Sequence, residues 1–247
     1  MNAYGFKETD IGTIPLEWEV ARLGSENVAK TSSGGTPNRS VNEYYGGHIP
    51  WVKSGELEDT TIYDTEEKLT ESGLQNSNAH RLPAGTLLMA MYGATVGRTG
   101  ILGLDACTNQ AVCAIVPQGE SFIPPYLQYY LIHYRPQLLN ERYGGAQPNI
   151  SQTIVKNLQV PLPPLPEQKK IATILSKIQQ AIEVQEEIIE RTKELKKALM
   201  AKLFTEGLYG EELKETEIGL MPKSWEVIEL RRVVTRKVTD GTHVTPT

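Results

Sequence analysis

The chain has 247 residues, 39% hydrophobic and 22% charged, which is the balance of an ordinary globular protein able to bury a substantial core. Its formal net charge of −5 argues against a free-standing binder of nucleic acid. No apolar run approaches the roughly 20 residues of a membrane span, and Met1–Lys7 lacks the layout of a signal peptide.

A polar, turn-rich segment opens the chain and runs to Thr36-Pro37. Short strand-like runs follow at Ile49–Val52, Thr86–Tyr92 and Ala111–Val116, separated by glycine breaks. Residues 56–71 carry seven carboxylates against Lys68 alone and read as a solvated acidic loop. Residues 76–156 carry five basic and three acidic side chains. A helix is expected over 125–142, with Leu127, Tyr130, Leu131, Leu138 and Leu139 on its apolar face and a break or kink at Pro136. Cys107 and Cys113 have no metal-ligand partners nearby and read as reduced, buried side chains of a cytoplasmic protein. Together these signals give a mixed α/β domain from about residue 20 to 160.

The proline-rich stretch 161–166 reads as a stiff connector, neither helix nor central strand. Beyond it the apolar period changes to steps of three and four. Ile171, Ile174, Leu175, Ile178, Ile182, Ile188, Ile189, Leu195 and Leu199 predict one long helix over 167–206, about 55 Å of it continuously periodic. Gln185 and Thr192 interrupt the stripe and are suited to fixing a register. A stripe this long implies a partner helix, from a missing half or from a second molecule, and therefore a coiled coil.

Residues 207–247 begin a repeat. Lys7–Leu23 returns as Lys214–Leu230 at a constant offset of 207 residues, with ten of seventeen positions identical. The expected organisation is therefore a globular domain over 1–160, the connector, the long helix over 167–206, and an incomplete second copy over 207–247. The chain is either a half-size molecule or a shortened one.

Catalytic chemistry is not visible. There is no GxxxxGK[ST] loop, no HExxH and no GxSxG, and His48, His80, His133 and His243 are scattered. No cofactor or metal is expected. Trp18 and Trp51 suit core or interface anchors, and Asn109-Gln110 a turn cap.

Several motifs occurring in order are similar to specificity subunits of type I restriction-modification enzymes. They are Gly46–Leu57, Pro83–Met89 running into Tyr92–Gly97, Thr108–Ala111, Gly145–Ser151 and Pro163–Ala172, together with the opening Ile11-Gly12…Pro15…Trp18 and its copy at 218–225. The resemblance implies a non-catalytic subunit that reads double-stranded DNA. A target recognition domain binds one half of a split site, and long helices set the spacing and dock modification subunits, which a restriction subunit joins. With one complete recognition domain, this chain is expected to form a homodimer through the long helix. Flexible polar residues beside glycine breaks are the candidate DNA contacts: Ser33, Thr36, Arg39, Lys53, Ser54, Tyr92, Thr95, Arg98, Gln147 and Asn149. The competing reading is a coiled-coil adaptor whose globular domain binds something other than DNA.

Overall fold

The computed structural model describes residues 5–140 and 149–234. Two compact units divide the chain after Ile178. The strands of the first unit are β1 (Phe6–Thr9), β2 (Gly12–Pro15), β3 (Glu19–Arg22), β4 (Ala29–Ser33), β5 (Tyr45–Val52) and β6 (Thr61–Ile62). They continue with β7 (Glu67–Leu69), β8 (Leu87–Ala90), β9 (Thr99–Leu102), β10 (Cys107–Thr108), β11 (Val112–Pro117) and β12 (Gln159–Leu162). Its helices are α1 (Glu71–Gln75), α2 (Pro124–Asn140), α3 (Gln152–Asn157) and the first turns of α4 (Leu165–Glu206). The second unit holds the remainder of α4, then β13 (Leu213–Thr216), β14 (Gly219–Pro222) and α5 (Leu230–Val233).

A five-stranded sheet ordered β4-β11-β8-β9-β6 forms the centre of the first unit. Strand β8 is buried at every residue and β11 at its first four, which accounts for their unbroken apolar runs. Alternate side chains point into different cores. Leu87, Met89, Cys113 and Ile115 pack with Leu127, Leu131 and Leu138 of α2. Leu88, Ala90, Val112 and Ala114 pack with Val52, Leu57 and Leu102 on the opposite face. A smaller sheet, β10-β5-β7, closes over Ile49, Trp51, Leu69 and Cys107.

Three expectations change. The polar opening segment contains four strands, β1 to β4, because two of them form a local hairpin and the other two are completed by distant partners, β12 and β11. Helix α2 continues through Pro136 to Asn140. Packing of Leu131 and Leu138 on either side of the proline offsets the hydrogen bond it cannot make. The proline-rich stretch is not a free connector. Pro161 lies in β12, on a two-stranded ladder with β3, and Pro166 occupies the first turn of α4, where its missing N–H costs nothing.

Side chains from the first unit hold the start of α4. Gln168 is fully buried, with three hydrogen bonds from its side-chain amide. Its Oε1 accepts the Ile123 N–H at 3.0 Å, and its Nε2 donates to the carbonyls of Ser121 and Pro163 at 3.2 and 2.9 Å. Trp18 Nε1 donates to Glu167 at 3.1 Å, and Tyr129 donates to Ser176 at 3.2 Å. Along the rest of the helix the apolar stripe is bare. Ile174, Ile178, Ile182, Ile188, Ile189, Leu195 and Leu199 are 46–60% exposed, while Ile171 and Leu175 are half-buried.

The sequence repeat is also a backbone repeat. Hairpin β1–β2 and hairpin β13–β14 pair in the same register at the 207-residue offset. Gly12 and Gly219 turn with φ of 103° and 107°, a conformation glycine alone adopts readily.

Candidate nucleic-acid interface

The interface begins where β4 ends. At Gly34 the backbone presses on the Thr108 carbonyl so closely that any Cβ would collide with it. The Gly35 carbonyl accepts the Trp51 indole N–H at 3.1 Å, which fixes this loop to the small sheet. Thr36 is exposed and donates to the Gln110 side chain. Asn109 caps its turn by accepting the Ala111 N–H at 3.1 Å.

Buried Trp51 and neighbouring Tyr45 form an aromatic shelf. The Arg39 guanidinium lies over both, 4.9 and 4.7 Å from the ring centroids. Arg39 is also held by Glu67, with N–O separations of 2.5 and 3.3 Å. Lys53 reaches Glu66 at 2.7 Å and the same Glu67 at 3.1 Å. Hydrogen bonds from Arg39 and Lys53 hold the Glu67 carboxyl below its usual range, and Glu67 and Glu66 in turn raise the Arg39 and Lys53 pKa values. The stabilisation from Glu67 is therefore present above the ordinary glutamate range and decays as pH falls through the lowered value.

The strip continues from Lys53 into Ser54, whose carbonyl accepts the Thr95 hydroxyl at 2.7 Å. Thr95 lies on the loop joining β8 to β9, closed where Ala90 and Arg98 share a backbone hydrogen bond of 2.8 Å. Tyr92, at the other end of the loop, bridges to Asn149, and both line an open depression with Met91 and Gln152. Arg98 is exposed and forms no ion pair among the described residues.

An internal brace supports this loop. Arg135 donates from Nε to the Gly97 carbonyl at 2.8 Å and pairs with Asp59 at 2.5 Å. Asp59 also accepts the Thr99 N–H and hydroxyl, both at 2.9 Å, from a positive-φ position (66°) that is uncommon for a non-glycine residue.

The structure therefore links Arg39 to Lys53 through Glu67, continues along the chain to Ser54 and its bond to Thr95, and joins Tyr92 to Asn149. Arg98 shares the β8–β9 loop with Tyr92 and Thr95. Thr36 is attached through Gly35 and Trp51, whereas Ser33 sits within β4, paired to β11. Gln147 lies outside the described residues. Sequence reasoning missed Arg135, Asp59, Glu66, Glu67 and Gln110. The acidic run is not a free solvated loop, since Glu56 and Asp59 cap backbone N–H groups of Lys53 and Thr99 and Glu67 holds two cations. The Glu56 cap is local, three residues from Lys53, but the pairings of Asp59 with Thr99 and Arg135 and of Glu67 with Arg39 and Lys53 join distant chain segments, with no local pattern to announce them.

The first unit is a mixed α/β domain carrying a braced polar strip, and the long helix α4 carries a bare apolar stripe. The chain belongs to the family described as the type I restriction modification DNA specificity domain, whose model matches residues 15–194. It is 31% identical to the type I restriction enzyme MjaIX specificity subunit of Methanocaldococcus jannaschii, over 96% of this chain and 56% of the relative. The MjaVIII specificity subunit of the same organism is 30% identical over 93% and 52%. The chain thus spans about half the length of these curated relatives. Among solved structures, one described as the structural basis of complex assembly and conformational transition of the type I R-M system matches with a TM-score of 0.58 and 26% identity, covering 79% of this chain and 47% of that one. The HsdS subunit from Thermoanaerobacter tengcongensis shares the fold, with a TM-score of 0.55 over 82% of this chain and 48% of that one, at 24% identity.

Proposed function

We propose that this chain is a non-catalytic DNA-reading subunit of a type I restriction-modification assembly and that its first unit reads one half of a split duplex sequence. The observation that carries the reading is Arg98, an exposed cation without a carboxylate partner among the described residues, presented on a loop braced by Arg135 and Asp59 in a chain of the specificity-domain family. Arginine is the residue best suited to guanine in the major groove. Arg39 and Lys53 are already matched by Glu66 and Glu67, and net charge is −5, so much of the phosphate attraction falls to partners. Those partners are modification subunits, joined by a restriction subunit. Two copies of this chain pair through α4, giving a symmetric target. The assembly works in the cytoplasm, a setting suited to two buried free cysteines. Among the described residues no helix is long and apolar enough to cross a membrane.

The test is selection from a pool of random duplexes by the chain in complex with a modification subunit. Wild type is expected to enrich one split sequence. Arg98→Ala is expected to relax one base pair of each half-site at a cost of about 1–3 kcal/mol. A wild-type complex that retains all duplexes equally would overturn the reading.

A further inference from the structure

We propose that Glu66 and Glu67 are built-in counter-ions that hold Arg39 and Lys53 away from phosphate and so lower the affinity of this chain for duplex DNA of any sequence. This rests on the DNA-reading proposal above and adds to it residues that act against indiscriminate binding. The pairings are fixed by the backbone rather than left to loose surface side chains. Glu67 lies in β7 directly opposite Trp51 of β5. The Trp51 N–H donates to the Thr65 hydroxyl at 3.2 Å, and that hydroxyl donates to the Glu67 carbonyl at 2.7 Å. Glu56 ties the remaining pair together, its carboxylate accepting the N–H of Lys53 at 3.0 Å and of Glu66 at 3.2 Å. The Arg39 guanidinium lies over the Tyr45 and Trp51 rings while Glu67 takes two of its nitrogens. An isolated exposed ion pair contributes little. Here one carboxylate serves two cations, and each partner is oriented on a fixed frame.

Two cations thus face two carboxylates, and this part of the strip offers a phosphate no net positive charge. Both cations are nonetheless within reach of solvent, with side chains 53% exposed for Arg39 and 25% for Lys53. A phosphate oxygen can replace a carboxylate oxygen at either of them, since both are charged acceptors. It does so only by displacing a carboxylate, which then stands beside the DNA backbone as a like charge. That cost is the same for every duplex, because phosphates carry no sequence information. Base readout by Arg98 is untouched. The cations beside Glu67 hold its carboxyl below the usual glutamate range, so the counter-ion stays charged at neutral pH.

The test is binding of the full chain, without partner subunits, to a random-sequence duplex across about 50–200 mM salt. Glu67→Gln is expected to bind roughly three- to tenfold more tightly than wild type, with a salt dependence steeper by about one to two phosphate contacts. Glu66→Gln leaves Glu67 and its strand pairing in place and is expected to move the same way by less, which keeps the test open if Glu67→Gln does not fold. Glu120→Gln removes the same charge from an exposed carboxylate that pairs with no cation among the described residues, and its salt slope should match wild type. A lower melting temperature with no gain in affinity from either variant would make the pair purely structural and overturn the proposal. So would an equal gain from Glu120→Gln, which would reflect net charge alone. The selection with a modification subunit separates the two levels. A wild-type complex that enriches one split sequence, with salt slopes unchanged in the variants, sinks the counter-ion role alone. A complex that enriches none removes the DNA-reading proposal beneath it.

Discussion

Hairpins β1–β2 and β13–β14 are the same local structure placed in two settings. Their registers match residue for residue, and a threonine hydroxyl donates to the turn glycine carbonyl at 2.6 Å in the first and 2.7 Å in the second. Ile14 and Met221 are both buried, and the N–H groups of Trp18 and Trp225 each donate to the preceding proline carbonyl at 3.0 Å. Beyond the tryptophans the copies part. Residues 19–22 become β3 because β12 is there to receive them, and Leu23 is completely buried. Glu226–Glu229 form no strand, and Leu230 is 63% exposed. Trp18 donates its indole N–H to Glu167, while the Trp225 indole N–H has no acceptor among the described residues. The hairpin is encoded locally, and the strand that follows it is made only with its partner.

Matched substitutions in the two copies sharpen this contrast. Leu23→Ala should cost about 2–5 kcal/mol in thermal or denaturant unfolding, whereas Leu230→Ala should stay within about 0.5 kcal/mol. Similar losses would show that the second copy is packed as the first is. Gly12→Ala and Gly219→Ala should cost about 1–3 kcal/mol each and nearly equally, because both force alanine into the same positive-φ turn. A cost at one site alone, read by hydrogen exchange of each hairpin, would break the claim that the turn is local. The smallest expected effect is at the indoles. Trp18→Phe should lose about 0.5–1.5 kcal/mol with its bond to Glu167, and Trp225→Phe should change nothing measurable.

What could be read in the sequence follows the same division. The long helix, the buried runs Leu87–Ala90 and Val112–Ile115, and the repeat itself are periodic or local signals, and the structure carries all of them. The candidate DNA contacts lie beside glycine breaks, which is a local signal, and the structure joins most of the described ones into a strip. What holds that strip was not legible. Arg135 lies 76 residues from Asp59, and Arg39 lies 28 from Glu67, so both pairs exist only once the two sheets have formed. The same holds for β3 and β12, and for Pro136, whose helix survives because the residues around it are packed.

The central claim, that the chain works as a pair with the α4 stripe as its seam, is met most directly by solution mass from light scattering, alone and with a modification subunit. The account predicts the mass of two chains, taking up two modification subunits. A single chain of 27.4 kDa that takes up one modification subunit would contradict it.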